Sequence, residues 1–134
     1  MVLYIFDTDT CSYVMKRMFP SLLNRVRVTP PAEQAVSVVS VAELLYGACL
    51  STRPREARIA FDAFIRYLAV LDWTREAAEH YADIRADLKV RGNMIGANDL
   101  SIAAQSRSMG AVLVTNNVGE FERVPGLKVE NWTR

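Results

Sequence analysis

The sequence predicts an α/β fold, in which a central parallel sheet of four to five strands is flanked by helices on both faces. Short apolar runs alternate with longer helical stretches along the chain. Such runs are typical of parallel strands that helices cover on both sides. The 134 residues, 51% of them hydrophobic, are enough for one core, and they contain no linker or repeat. We therefore expect a single domain over residues 1–134.

Five segments are the candidate strands, because each is a short apolar run, rich in β-branched residues in several cases. In chain order they are Val2–Phe6, Val36–Val39, Ala69–Asp72, Ala111–Thr115 and Leu127–Glu130.

Helices are predicted between these strands. The first begins near Thr10, and the others cover Ser40–Leu50, Arg55–Leu68, Arg75–Arg91 and Asp99–Met109. The fourth has one apolar stripe, and a glycine ends each of the last two, at Gly92 and Gly110.

Several functional classes are excluded by composition. No apolar run is long enough for a membrane span, and the N-terminus lacks the features of a signal peptide. Cys11 and Cys49 have no metal-ligand spacing, so we expect reduced thiols in a cytoplasmic protein. The single histidine, His80, cannot form a histidine ligand cluster, and no phosphate-loop or dinucleotide-binding motif is present.

Four acidic residues follow predicted strands or begin predicted helices. Asp7 comes directly after the first strand in "FDTDT", Glu43 lies shortly after the second, Asp99 begins a helix and Glu120 follows "AVLVT". Ligand sites in parallel sheets form outside the carboxyl ends of the strands, so these acids should meet there. Carboxylates from separate segments suit Mg²⁺ or Mn²⁺, and a cation would also keep buried carboxylates ionised.

Each acid also has a purely structural interpretation. Ser40-Val41-Ala42-Glu43 matches a capping box, and Asn98 or Asp99 could cap the helix that follows. Glu120 could be an ordinary exposed loop residue. Asp7 is the hardest to explain structurally, because its neighbours Thr8, Asp9 and Thr10 are better suited to cap the helix that follows.

Net charge is +1, from 16 basic and 15 acidic residues. If four acids occupy one site, the rest of the chain carries +5. The basic residues could simply form a solvated surface, or they could surround an acidic pocket and favour a polyanion.

Four blocks of the sequence resemble PIN-domain ribonucleases, specifically the VapC-type toxins of type II toxin–antitoxin systems. They are "YIFDTDT", "SVVSVAELLYGA", "IRADLKVRGNMIGANDLSIAAQS" and "GAVLVTNNVGEFERVPGLKVENW". The resemblance covers nearly the whole chain, with the blocks in the family's order, and implies a PIN-like fold.

The resemblance also implies a site. Asp7, Glu43 and Asp99 would bind Mg²⁺, with Mn²⁺ as a substitute, and Thr115 would orient the site. Many members have an aspartate after T-N, where this chain has Asn116-Asn117. Asn117 or Glu120 would then complete the site, Glu120 by supplying the missing charge.

For function, the resemblance implies an endoribonuclease that cuts structured RNA, such as a tRNA anticodon loop, and inhibits translation. It also implies a VapB-like antitoxin, a homodimer within a larger complex, and contact with DNA only through the antitoxin.

Two other functions remain open. A haloacid-dehalogenase-like phosphatase uses D-x-D-x-[TV] after a strand, but Cys11 occupies the last position of that motif here. Alternatively, the two asparagines could mark a catalytically impaired PIN-like module that binds RNA or a partner.

Overall fold

The computed structural model describes residues 1–134 and contains one five-stranded parallel sheet. Its strands are β1 (Tyr4–Phe6), β2 (Gln34–Ser37), β3 (Ala69–Leu71), β4 (Val112–Val114) and β5 (Lys128–Glu130). The helices are α1 (Thr8–Met15), α2 (Pro20–Val28), α3 (Val38–Leu50), α4 (Pro54–Ile65), α5 (Arg75–Val90), α6 (Ala97–Ser108) and α7 (Val118–Phe121), with a 3₁₀ turn at Pro31–Glu33. None of the seven α-helices combines the length and apolar character needed to cross a membrane.

Strand order in the sheet is β3-β2-β1-β4-β5, so β1 is central. The chain moves outward from β1 through β2 to β3 and then returns to place β4 on the other side of β1. The carboxyl ends of β1 and β4 therefore lie where the strand order reverses, which is the usual position of a ligand site in an open α/β sheet.

Alternate strand residues divide the core into two layers. Ile5, Ala35 and Leu113 pack with the buried residues of α5 and α6. Their strand neighbours, Phe6, Val36 and Val114, pack with Cys11 of α1, Leu22 of α2 and Phe61 of α4. Because side chains alternate across a sheet, helices cover both faces, as predicted.

The predicted fold class is confirmed, and the main errors concern element boundaries around the second strand. That strand spans Gln34–Ser37, and α3 begins at Val38. The α3 N-cap is Ser37, whose hydroxyl accepts from the Val39 amide. The predicted capping box at Ser40 was therefore wrong, because Ser40 is already inside the helix.

Two helices were not predicted. Helix α2 begins with Pro20 at its first position, where the missing amide hydrogen costs nothing. Helix α7 has four residues and includes Glu120, which was expected in a loop. Helices α1 and α6 also begin two residues earlier than predicted, at Thr8 and Ala97.

Candidate active site

Asp7 follows β1 directly and is the N-cap of α1. Its Oδ1 accepts from the Thr10 amide at 2.8 Å, and its Oδ2 accepts from the Thr115 hydroxyl at 2.5 Å. The residue is only 4% exposed. Burial raises the pKa of the Asp7 carboxyl, although the hydrogen bonds from Thr10 and Thr115 oppose that shift. The expectation that a neighbouring residue caps this helix was wrong.

Glu43 lies in the second turn of α3 and is held by two side chains from other elements. The Thr8 hydroxyl donates to Oε1 at 2.5 Å, and Asn98 Nδ2 donates to Oε2 at 3.0 Å. Thr8 also lies 3.0 Å from Ser40 Oγ. Both carboxylate oxygens of Glu43 are therefore fixed by donors from α1 and α6.

Asp99 and Glu120 are neighbouring acids, and both approach Gly96. Burial, which contributes most, acts together with the nearby charges of Glu120, Asp7 and Glu43 and a hydrogen bond with Glu120 to raise the pKa of Asp99 from 3.8 to about 7. Glu120 accepts from the Gly96 amide at 3.1 Å and from Asn117 Nδ2. These two donors hold both carboxylate oxygens of Glu120 beside Asp99.

The two asparagines have distinct contacts. Asn117 donates to Glu120, whereas Asn116 Nδ2 donates to the Tyr13 hydroxyl at 3.3 Å. The Asn117 amide in turn donates to Thr115 Oγ1 at 2.9 Å. Thr115 thus connects the loop after β4 to Asp7.

All four predicted acids lie in one cluster. Asp7 and Asp99 occupy the starts of helices, Glu43 lies in the second turn of α3, and Glu120 belongs to the short α7. Asp9 is exposed in the first turn of α1 and contributes only a nearby charge to Asp7. Gly96 is the α6 N-cap, so the prediction that Asn98 or Asp99 caps this helix was wrong.

Sequence reasoning missed how Glu43 is positioned. It treated Thr8 and Asn98 as possible helix caps, but both donate to Glu43. The available signal was adjacency, because Thr8 follows Asp7 and Asn98 precedes Asp99 in the sequence.

The donor set fits a hard divalent cation. It consists of oxygen atoms from four carboxylates, without a histidine or thiolate. Burial and the neighbouring carboxylates both disfavour a negative charge on Asp99, as its raised pKa indicates. No group of three such side chains stands in an arrangement that holds a metal ion. Oxygens of Glu43 and Glu120 instead accept hydrogen bonds from Thr8, Asn98 and Asn117.

Comparison with known proteins finds the same fold and also identifies the family. The PIN domain family matches residues 5–127. "Ribonuclease VapC2" of Haemophilus influenzae is 41% identical over 132 residues, covering 98% of this chain and 99% of that protein. "tRNA(fMet)-specific endonuclease VapC" of Salmonella typhimurium is 36% identical over 132 residues, with the same shares covered.

A solved structure agrees closely with this chain. The crystal structure of DNA-bound VapBC from Salmonella typhimurium superposes with a TM-score of 0.93 at 36% identity, covering 98% of this chain and 99% of that one. The fold and the acidic cluster define a PIN-domain protein. Within that family, the near full-length identities show that the chain belongs with the VapC ribonucleases.

Proposed function

We propose that this protein is a divalent-metal-dependent endoribonuclease that hydrolyses RNA phosphodiesters. The main support is the cluster of Asp7, Glu43, Asp99 and Glu120, where burial and neighbouring negative charge together raise the pKa of Asp99 to about 7. This cluster needs positive charge, and a phosphodiester needs the same compensation during cleavage.

In this proposal, Asp7, Asp99 and Glu43 would hold Mg²⁺ or Mn²⁺, with Glu120 or Asn117 completing the site. When bound, the cation supplies Lewis acidity that neutralises charge on the phosphate and acidifies a bound water. Thr115 orients Asp7, while Thr8 and Asn98 orient Glu43. Attack by water at phosphorus would leave a 5′-phosphate and a 3′-hydroxyl.

The relatives of this chain support a class of substrate and a partner protein. The Salmonella relative is named for tRNA(fMet), which supports a structured RNA such as a tRNA anticodon loop as the target. Such a loop exposes its bases for recognition. The VapBC complex supports a VapB-like antitoxin that neutralises the protein, and DNA contact through that complex. We further propose that the protein forms homodimers, acts in the cytoplasm and inhibits translation.

Glu120 supplies a fourth carboxylate despite the two asparagines, which argues against a catalytically impaired module. Glu120 is close enough to Asp99 to share a hydrogen bond with it, so the cluster keeps four acids without an aspartate after Thr115. The phosphatase alternative has lost its basis, because the chain belongs to the PIN family over residues 5–127.

The direct test incubates purified protein with bulk tRNA in Mn²⁺, Mg²⁺ or EDTA. We expect discrete fragments with 5′-phosphates in either metal and none in EDTA, and no cleavage by Asp7→Asn. RNA cleavage that persists in EDTA, or in the Asp7→Asn variant, would show that the carboxylate site is not the catalyst. Growth arrest on induced expression, relieved by Asp7→Asn, provides the matching cellular measurement.

A further inference from the structure

A groove of about 430 Å³ between α1, α3 and α4 opens from the acidic cluster. Glu43 of that cluster, and Thr8 which donates to it, form part of its wall. Farther along, half of the lining is apolar, and the rest includes Gly47, Ser51 and Lys16. An RNA strand that places one phosphate at Glu43 must continue away from the acidic cluster, and this groove offers it a direct path.

Gly47 lines the groove without a side chain. It lies inside α3, where glycine is less stable than alanine. A Cβ atom added at Gly47 would meet no atom within 4 Å, so packing within the protein does not require glycine there. The added atom would instead enter open space over the groove. An extended ligand lying on α3 would account for the absence of a side chain.

Lys16 supplies positive charge along this path for a negatively charged RNA strand. It is exposed and takes part in none of the four ion pairs of the structure. Apart from Glu43, it is the only formally charged residue lining the groove. Eight residues separate it from Thr8 along α1, which corresponds to about 12 Å of helix. Lys16 is therefore placed for a different phosphate from the one at the acidic cluster.

A second opening also shares Glu43, but it offers no positive charge to a polyanion. It is lined mainly by apolar residues of α3, including Val38 and Tyr46, and contains no lysine or arginine. Of the two openings at Glu43, only the groove with Lys16 has complementary charge.

We propose that the groove over Gly47 holds the RNA segment next to the cleaved phosphate, and that Lys16 binds a phosphate of that segment. This inference rests on the proposed nuclease function and adds the direction in which the RNA leaves the acidic cluster. Gly47 is then a determinant of strand access, and Lys16 is a positioning residue.

The test measures binding of a short fluorescein-labelled single-stranded RNA by anisotropy in EDTA, where no cleavage is expected. Gly47→Leu should weaken binding about tenfold, from loss of one or more contacts worth about 1.4 kcal/mol in total. Gly47→Ala should weaken it less while raising the thermal midpoint, because alanine favours the helix. A graded loss of affinity that opposes the change in stability cannot come from misfolding.

The charge is tested separately with Lys16→Gln and a matched control, Lys89→Gln. Lys89 is also exposed and free of ion pairs, but lies on α5 against the other face of the sheet. Lys16→Gln should make the slope of log affinity against log salt shallower by about 0.7, as expected for one lost phosphate contact on a single strand. Lys89→Gln should leave both the slope and the affinity unchanged.

Different failures are distinguishable. If the wild type cuts RNA but Gly47→Leu binds and cuts equally well, the groove proposal is wrong and the proposed function stands. The groove proposal is also wrong if Gly47→Leu keeps its RNA affinity but loses a VapB-like partner, since the groove would then belong to that protein. If the wild type neither binds nor cuts RNA, both proposals are wrong. A Mn²⁺-induced thermal shift that persists in Gly47→Leu would show an intact acidic cluster.

Discussion

Replacing Asp99 with asparagine should stabilise the metal-free protein at pH 7.5. The folded-state pKa of Asp99 is about 7, against an ordinary value of 3.8. Folding therefore favours the protonated form, and this contribution to stability is fully present below about pH 4. It is lost as the pH rises through about 7, because the folded cluster must then accept another negative charge. Asparagine carries no such charge and still donates a hydrogen bond to Glu120.

Three contributions set the expected change in the free energy of unfolding of Asp99→Asn. A shift of about three pH units corresponds to about 4 kcal/mol if solvent does not screen it. Asp99 is half-buried, so we expect about one third of that to remain. An ionised carboxylate in the first turn of α6 gains about 0.5 kcal/mol from the helix dipole, and asparagine forfeits this. The net gain is about 1 kcal/mol, or about 3–5 °C in thermal midpoint for a domain of this size.

Differential scanning fluorimetry in EDTA between pH 4 and 8 provides the measurement. The wild type should lose stability across this range relative to Asp99→Asn, with the two curves meeting at the acidic end. Adding Mn²⁺ at pH 7.5 should reverse the order, since a cation at ten times its dissociation constant adds about 1.4 kcal/mol to the protein that binds it. If Asp99→Asn is less stable than the wild type at pH 7.5 in EDTA, the charge-repulsion argument is wrong.

Three further experiments test separate parts of the structure. Asp7→Asn should fold with near wild-type stability and lose cleavage, whereas Asp7→Ala should also lose about 1–2 kcal/mol in denaturant unfolding, because only asparagine keeps the helix cap; equal stability of the two variants would contradict the capping role. Thr8→Val should reduce cleavage about tenfold with little change in folding, since Glu43 loses one of its two donors, and an unchanged rate would show that this contact is dispensable. Under native conditions iodoacetamide should modify the exposed Cys49 and spare the buried Cys11, whose pKa burial raises; mass spectrometry of the intact protein gives the result, and double labelling would contradict the described core.

The strand–helix order was predictable because apolar strand runs are short and glycines end two of the helices clearly. The boundary after β2 was not, because local preferences conflict there. Val38 and Val39 are β-branched and favour a strand, and Ser40 matches a cap. The structure nevertheless uses Ser37 as the cap and places both valines in the first turn of α3. Tertiary packing decides such cases, and the local sequence does not contain it.

The candidate site was predicted by residue but not by contact. Parallel topology alone brings Asp7 and the β4 loop to one edge, which is why the acids could be grouped from the sequence. Pairing between Asp99 and Glu120 was beyond such reasoning, because it depends on the short helix α7 and on the donors Gly96 and Asn117.

Asp7 shows why structural and chemical interpretations of one residue need not compete. Its Oδ1 caps α1, and its Oδ2 is held by Thr115 at the end of β4. Two donors offset part of the cost of burying this carboxylate, but desolvation still dominates its pKa. Because each of its oxygens accepts a hydrogen bond, the Asp7 carboxylate is held in one orientation beside the more exposed acids. The loss of activity in Asp7→Asn would then reflect charge alone, because the cap and the fold are kept.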